Sequence, residues 1–212
     1  MNQLYFCRHG KTSWNQERRI QGRTDLPLNP EGIAQSRDLA HYFMTSQIQA
    51  DAVISSPLLR ARETASFIAQ ALSVELICDE DLIEVDTGKF TGKTMDELQS
   101  DASWQAYLNN PSSVPYGECG ETSASVIARM TRAMARYDGN FIFVSHANPI
   151  RHAISSMLQL PKENLYHLSV YNASVSLIKR NEKGNKLVFM NVCPSLLRAC
   201  FDASADKASH AS

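Results

Sequence analysis

Short runs of β-forming residues alternate along this chain with stretches of helical periodicity, and that alternation restricts the fold more than any other feature. Leu4–Cys7, Ala52–Ser55, Val74–Cys78, Phe141–Ser145, Val170–Ile178 and Leu187–Val192 read as strands. Four of them are brief and apolar, as strands covered by helices on both faces tend to be. The pattern predicts parallel β-α-β units in a three-layer α/β/α fold, with a mostly parallel central sheet and helices on both faces.

The helices announce their own starts. Asn29-Pro30-Glu31 supplies a cap, a first-turn proline and a first-turn acid, and Ile33, Leu39, Ala40, Phe43 and Met44 follow at helical spacing. Ser56-Pro57 repeats that grammar ahead of Ala61, Ala65, Ile68, Ala69 and Leu72. Further helices are expected near Thr94–Ser100, Thr122–Tyr137 and Ile150–Leu158. Residues 79–120 break the alternation with acidic, glycine-punctuated and aromatic stretches, so they are expected to leave the sheet as a substrate cap. No stretch rich in Pro and Gly separates two cores, so residues 1–201 are expected to form one domain. The small, polar stretch 202–212 is expected to fray.

Composition excludes several classes of function. The 212 residues, 43% hydrophobic and 20% charged, suffice for a buried core. With 21 Lys+Arg against 22 Asp+Glu, no overall positive field would hold the chain on nucleic acid or on a membrane surface. Any bound anion must therefore meet a local cluster. No apolar stretch approaches the roughly 18 to 20 residues of a membrane span, and the run Leu4–Cys7 is too short for a signal sequence, so a cytoplasmic location is expected. The cysteines Cys7, Cys78, Cys119, Cys193 and Cys200 are odd in number and lack a C-x-x-C pair, which speaks against disulfides and zinc ribbons. Cys7 and Cys78 are expected in the core, and Cys119, in a glycine-rich loop, is the one open to oxidation.

Chemistry gathers where apolar runs end. Leu4–Cys7 delivers Arg8-His9-Gly10, and Phe141–Val144 delivers Ser145-His146. Crevices beyond strand carboxyl ends are where open α/β sheets bind ligands. A histidine there is a nucleophile or base, and a neighbouring arginine an anion clamp, although a lone strand-end histidine is more often structural. Arg60, just past a strand, is either part of a phosphate-binding helix start or a surface arginine paired with Glu63 or Thr64. Arg62 fits the surface reading. Glu84, followed by Gly88 and Gly92, is the candidate proton donor, with Asp86 its rival in the same loop. No metal-ligand spacing is present. Trp14, Arg18, Arg19, Arg23, Trp104, Tyr107 and Tyr116 are candidates to line the opening of a site.

Together these residues resemble the histidine phosphatase superfamily, the phosphoglycerate mutase-like family, from about Leu4 to about Ile178. The likeness rests on Arg8-His9-Gly10-x-Thr12-x-x-Asn15, Gln21-Gly22-x-x-Asp25-x-Pro27-Leu28, Ser55-Ser56-Pro57-Leu58-x-Arg60-Ala61-x-Glu63-Thr64, Leu82-x-Glu84-x-x-x-Gly88-x-x-x-Gly92 and Val144-Ser145-His146. The resemblance implies that His9 is the phosphorylated nucleophile. Arg8, Arg60 and a protonated His146 would surround the phosphoryl oxygens with help from Asn15, and Glu84 would be the general acid. Gln21, Gly22, Arg23, Thr24, Glu121, Ala147 and Asn148 would contact substrate, with Gly120-Glu121-Thr122 resembling the family's later G-E-S/T motif. It also implies a small phosphorylated substrate, no metal and no cofactor. Where many relatives carry glycine after the second histidine, this chain has Ala147-Asn148-Pro149.

The expected activity is hydrolysis of a phosphomonoester through a phosphohistidine. A cofactor-dependent phosphoglycerate mutase is the alternative on the same first step, disfavoured because the E-R-H-Y-G type insertion after the acid is lacking. A non-catalytic phospholigand-binding protein is the second alternative. The sequence leaves both the substrate and a homodimer open.

Overall fold

The computed structural model describes residues 2–111 and 113–196. The stretch 202–212 and Cys200 lie outside the described residues. Six strands form one sheet: β1 (Asn2–Arg8), β2 (Ala52–Ser55), β3 (Glu75–Cys78), β4 (Phe141–Ser145), β5 (Val175–Asn181) and β6 (Gly184–Val192). Their spatial order is β3-β2-β4-β1-β5-β6. The first four run parallel, while β5 and β6 are antiparallel additions on one side.

Strand period accounts for the layers. Leu4 and Phe6 of β1, Ala52 and Ile54 of β2 and Phe143 of β4 point into one core. Their neighbours Tyr5, Cys7, Val53, Ile142 and Val144 point into the other. The first core is closed by α6 (Ser123–Arg136) and α7 (Ala147–Met157), through Val126, Met130, Ile150 and Ile154. The second is closed by α2 (Pro30–Thr45) and α3 (Leu59–Leu72), through Leu39, Phe43, Ala65 and Ile68. The result is the three-layer α/β/α architecture. Among the described residues no helix is long and apolar enough to cross a membrane.

The path of the chain creates the crevice. From β1 it winds outward through β2 to β3, then returns to insert β4 between β1 and β2, and its helices change face at that return. Arg8 pairs with Ser145 and Ser55 with Val144, so three strand ends finish level with one another. Asn29 caps α2 by accepting from the Gly32 N–H at 2.8 Å. Gly32 itself lies so close to the Lys11 backbone that a Cβ would overlap it, which packs the loop after β1 against the helix start.

Residues 79–120 leave the sheet as two 3-10 turns, α4 (Met95–Leu98) and α5 (Ala102–Asn109). A one-turn helix, α1 (Ser13–Gln16), precedes α2. Several boundaries differ from the sequence expectation. Val170–Ile178 is extended only from Val175: the Ala173 N–H donates to the Arg8 and His9 carbonyls, which folds residues 170–174 around the end of β1. Cys78 is exposed rather than in the core, because β3 is the outer strand of the sheet, whereas Cys7 is buried as expected. Cys119 is exposed. The helix after Ser56-Pro57 starts only at Leu59 and has no side-chain cap. That after β4 starts at Ala147, three residues before the expected Ile150, with Pro149 in a first turn where no helical N–H is required.

Candidate active site

The level strand ends set His9 and His146 side by side, their ring centroids 5.1 Å apart. His9 Nδ1 lies 2.6 Å from the Gly10 carbonyl oxygen. A carbonyl only accepts, so Nδ1 carries the proton and Nε2 is the basic nitrogen. Burial pushes the His9 pKa well below its usual value, and the Arg60 and Arg8 guanidiniums push it further. His9 is therefore neutral at pH 7 and holds a free lone pair. Asn172 steadies the backbone beneath it, donating to the His9 carbonyl at 3.1 Å.

His146 departs from its expected charge. Burial, followed by Arg60, His9 and Arg8, depresses its pKa well below the ordinary range, so the ring is neutral. Its Nε2 lies 2.8 Å from Ser56 Oγ. That hydroxyl also accepts from the Leu58 N–H, and it can serve as donor or acceptor to the ring. Its Nδ1 is buried without a partner. In the ligand-free cleft the ring is thus neutral, whereas the imidazolium was expected beside bound phosphate.

Two arginines complete the positive cluster. Arg60, in the first turn of α3, is fully buried and donates to the Thr24 and Gly22 carbonyls at 2.7 and 2.9 Å. The surface pairing with Glu63 or Thr64 is thereby excluded. Arg8 donates to the Val170 carbonyl at 2.8 Å. Neither guanidinium is ion-paired among the described residues, and the Nε of each is buried without an acceptor. Burying a cation such as Arg60 without a close ion pair is costly, and the Glu84 carboxylate offsets only part of that cost. A doubly charged anion in the cleft bordered by Arg8 and Arg60 would offset that cost.

Glu84 stands opposite. The Val85 N–H donates to its Oε1 at 2.9 Å. Burial raises its pKa, and this outweighs the opposing pull of that N–H and of Arg60, Arg8 and Arg129. Its carboxyl is thus predisposed to hold a proton. The rival Asp86 is spent on the turn, accepting from the Gly88 N–H at 3.0 Å.

Arg8, His9, Asn15, Gln21, Gly22, Arg60, Glu84, Ala147 and Asn148 all border one cleft of about 440 Å³. Asn15 Oδ1 accepts from the Thr12 N–H, which turns its amide nitrogen away from that bond. Three expected contact residues sit elsewhere. The Thr24 carbonyl holds Arg60. Glu121 forms a buried pair with Arg129, Oε1 to Nε at 2.8 Å. Arg23 donates from Nε to the Glu84 carbonyl and from Nη2 to Glu121. Of the candidates for the opening, Arg19, Trp104 and Tyr116 border the cleft, while Tyr107 is buried behind Tyr116.

Sequence reasoning missed Arg129, Arg151, Tyr166 and Ser56. Arg129 donates to the Asp81 and Ile83 carbonyls just ahead of Glu84, at 2.8 and 2.6 Å. Arg151 and Tyr166 border the cleft. A helical arginine carries no signal of burial by itself. Six residues after the apolar run Phe141–Ser145, and one turn into a helix, Arg151 repeats the placement of Arg60 five residues after Ser55, and that repetition was the available clue.

Comparison with known proteins agrees with this geometry. Residues 4–193 match the family model of the histidine phosphatase superfamily (branch 1). A protein named probable phosphoglycerate mutase GpmB, from Enterobacter sp. (strain 638), is 35% identical over 188 residues, covering 86% of each chain. A phosphoserine phosphatase mutant from Entamoeba histolytica, solved in complex with phosphoserine, superposes with a TM-score of 0.82 at 26% identity, covering 91% of this chain and 98% of its own. The alpha-ribazole phosphatase from Shigella flexneri gives 0.77 at 25%, covering 90% and 96%. A match over nearly the whole folded length, on a sheet that brings its two strand-end histidines together, places this chain in the histidine phosphatase superfamily.

Proposed function

We propose that the protein hydrolyses a small phosphomonoester through a phosphohistidine at His9. The observation that carries this is the neutral His9, its Nδ1 proton fixed on the Gly10 carbonyl, beside the Arg8 and Arg60 guanidiniums, neither of which is ion-paired among the described residues. His9 Nε2 attacks phosphorus, and the bond to the leaving oxygen breaks as Glu84 delivers its proton to that oxygen. Arg8, Arg60 and His146 hold the charge that spreads over the phosphoryl oxygens. In the second half-reaction Glu84 takes a proton from water, the water oxygen bonds to phosphorus, and His9 leaves with its lone pair restored. The arginines supply the charge stabilisation, so no step calls on a metal. Free thiols, two of them exposed, suit the cytoplasm.

The mutase alternative is supported by the names of the curated relatives. Against it stands the brief path from Glu84 to Gly88 and α4, which leaves no room for a long insertion after the acid. The discriminating assay is a panel of phosphomonoesters with EDTA present, followed by 3-phosphoglycerate with and without 2,3-bisphosphoglycerate. Phosphate release that survives EDTA and is lost in His9→Ala is expected. Efficient isomerisation that depends on the bisphosphate would overturn the ranking.

A further inference from the structure

The loop that carries the nucleophile is held from outside the cleft. Asn172 sits in the bend 170–174 after η3 and lines a smaller cavity with Lys11 and Gln35 rather than the cleft itself. Its Nδ2 donates to the His9 carbonyl at 3.1 Å, to the Gly10 carbonyl at 3.4 Å and to Asn15 Oδ1 at 3.2 Å. Delivering this amide strains the bend. The buried Ala173 takes a left-handed backbone, φ 50°, which residues other than glycine avoid, and its N–H donates to the Arg8 and His9 carbonyls, each at 3.1 Å.

The polarity of both amides follows from their partners. A carbonyl only accepts, so the Asn172 atom that faces His9 and Gly10 is the nitrogen. The Asn15 atom that meets this nitrogen also meets the Thr12 N–H at 3.1 Å and the Thr12 hydroxyl at 3.2 Å, so it is the oxygen. Asn15 Nδ2 is thereby left for an anion in the cleft that Asn15 borders. The Gly10 carbonyl has a second duty. It accepts the His9 Nδ1 proton at 2.6 Å, so whatever fixes that carbonyl also fixes which ring nitrogen keeps its lone pair. Thr64 Oγ1, accepting from the Gly10 N–H at 3.0 Å, holds the same stretch of backbone from the side of α3.

We propose that Asn172 is a positioning residue for phosphoryl transfer: one side-chain amide outside the cleft orients the nucleophile's ring through the Gly10 carbonyl and the amine of Asn15 through the Asn15 oxygen. The kinetic consequence rests on the proposed hydrolase reading. The orientation of the ring and of the Asn15 amide rests on hydrogen-bond geometry alone.

The ring is therefore examined without substrate. In protein carrying ¹⁵N-labelled histidine, the His9 signals, identified by their absence from His9→Gln, are expected to show a single Nδ1–H tautomer at pH 7 in wild type and a mixture of both tautomers in Asn172→Ala. With p-nitrophenyl phosphate, Asn172→Ala is expected to cost about 10- to 100-fold in kcat, with KM changed by less than about threefold. Asn172→Ser, which keeps one donor, is expected to fall between, and the loss is expected to shrink when Asn15 is already alanine. Unchanged kcat, a single-tautomer ring in Asn172→Ala, or the full loss in the Asn15→Ala background would overturn the proposal. If the Asn172 variants fold poorly, Asn15→Asp carries the test. Its carboxylate accepts the same three hydrogen bonds but offers no amine, so its thermal midpoint is expected to hold while kcat/KM falls. A lowered midpoint or retained kcat/KM in Asn15→Asp would overturn the assigned polarity, and the proposal with it. Failure of the hydrolase reading shows separately, as absent phosphate release by wild type in the panel assay.

Discussion

At the scale of single residues, the two groups that handle protons are displaced in opposite directions from their ordinary values. His9 is pushed down and Glu84 up, both chiefly by burial. The reaction needs His9 unprotonated and Glu84 protonated. Activity must therefore fall as pH drops through the lowered pKa of His9, and fall again as pH rises through the raised pKa of Glu84. A bell-shaped pH profile is expected in kcat/KM. Glu84→Gln, which cannot deliver a proton, should cost about 10²- to 10⁴-fold in kcat and abolish the alkaline limb for a substrate with a poor leaving group. An alkaline limb that persists in Glu84→Gln would assign it to another group. His9 and His146 were legible in the sequence because each ends a short apolar run, which ties a side chain to a strand end without any knowledge of the tertiary structure. Arg151 and Arg129 were not, since a helical arginine looks the same in sequence whether it faces solvent or a cleft. The lowered pKa of His146 in the ligand-free cleft was not legible for a related reason: burial, its largest cause, is a property of the folded molecule.

At the scale of elements, the segment between β3 and α6 is held in place by an arginine outside the cleft. Arg129 reaches from α6 to the Asp81 and Ile83 carbonyls and to Glu121, and Arg23 ties Glu121 to the Glu84 carbonyl. Arg129 is thus a positioning residue for Glu84. Arg129→Met leaves the Glu121 carboxylate with only the half-exposed Arg23 and the Ser125 hydroxyl and should cost up to about 3 kcal/mol in denaturant unfolding, while Arg129→Met combined with Glu121→Leu should recover part of that loss. The cation also lowers the Glu84 pKa, so its removal should move the alkaline limb of the pH profile upward. A variant that loses stability with that limb unmoved would make Arg129 purely structural. The expected excursion over residues 79–120 was readable from its composition, but α5 within it was not. Its buried Tyr107 and partly buried Trp104 pack against Phe90 and Tyr116, contacts distant in sequence that leave little helical periodicity in eight residues. Ser56 misled in the opposite way. Local grammar made it a helix cap, while its hydroxyl meets a histidine ninety residues away.

At the scale of the whole molecule, a cleft in which cations outnumber carboxylates couples folding to pH and to anions. His9 and His146 have pKa values well below 6.5 in the folded state, and that of His152 is lowered to about 4, by burial first in each case. Below about pH 6.5 the unfolded chain binds protons that the folded chain refuses, so these three groups withdraw stability as pH falls toward their folded values. Glu84 acts in the opposite sense, costing stability as pH rises from its ordinary value through its raised one. Three groups outweigh one. The thermal midpoint should drop between pH 7 and pH 5, and orthovanadate at a hundred times its Kd should restore about 2.7 kcal/mol. A midpoint that ignores both pH and the anion would contradict the account of a preformed anion site. Layering and strand direction followed from periodicity, because four short apolar runs separated by helices have few ways to bury both faces. The insertion of β4 between β1 and β2 had no local signal, yet it is what brings residues 9, 60, 84 and 146 together.

The central claim is that phosphorus is bonded for part of each cycle to His9 Nε2. The most direct measurement is to mix the protein with p-nitrophenyl [³²P]phosphate, quench in alkali within milliseconds, and map the label by peptide. The account predicts an acid-labile, alkali-stable label on the peptide holding His9, absent in His9→Ala and accumulating in Glu84→Gln as hydrolysis of the intermediate slows. Steady turnover in His9→Ala, or a label on any other residue, would contradict it.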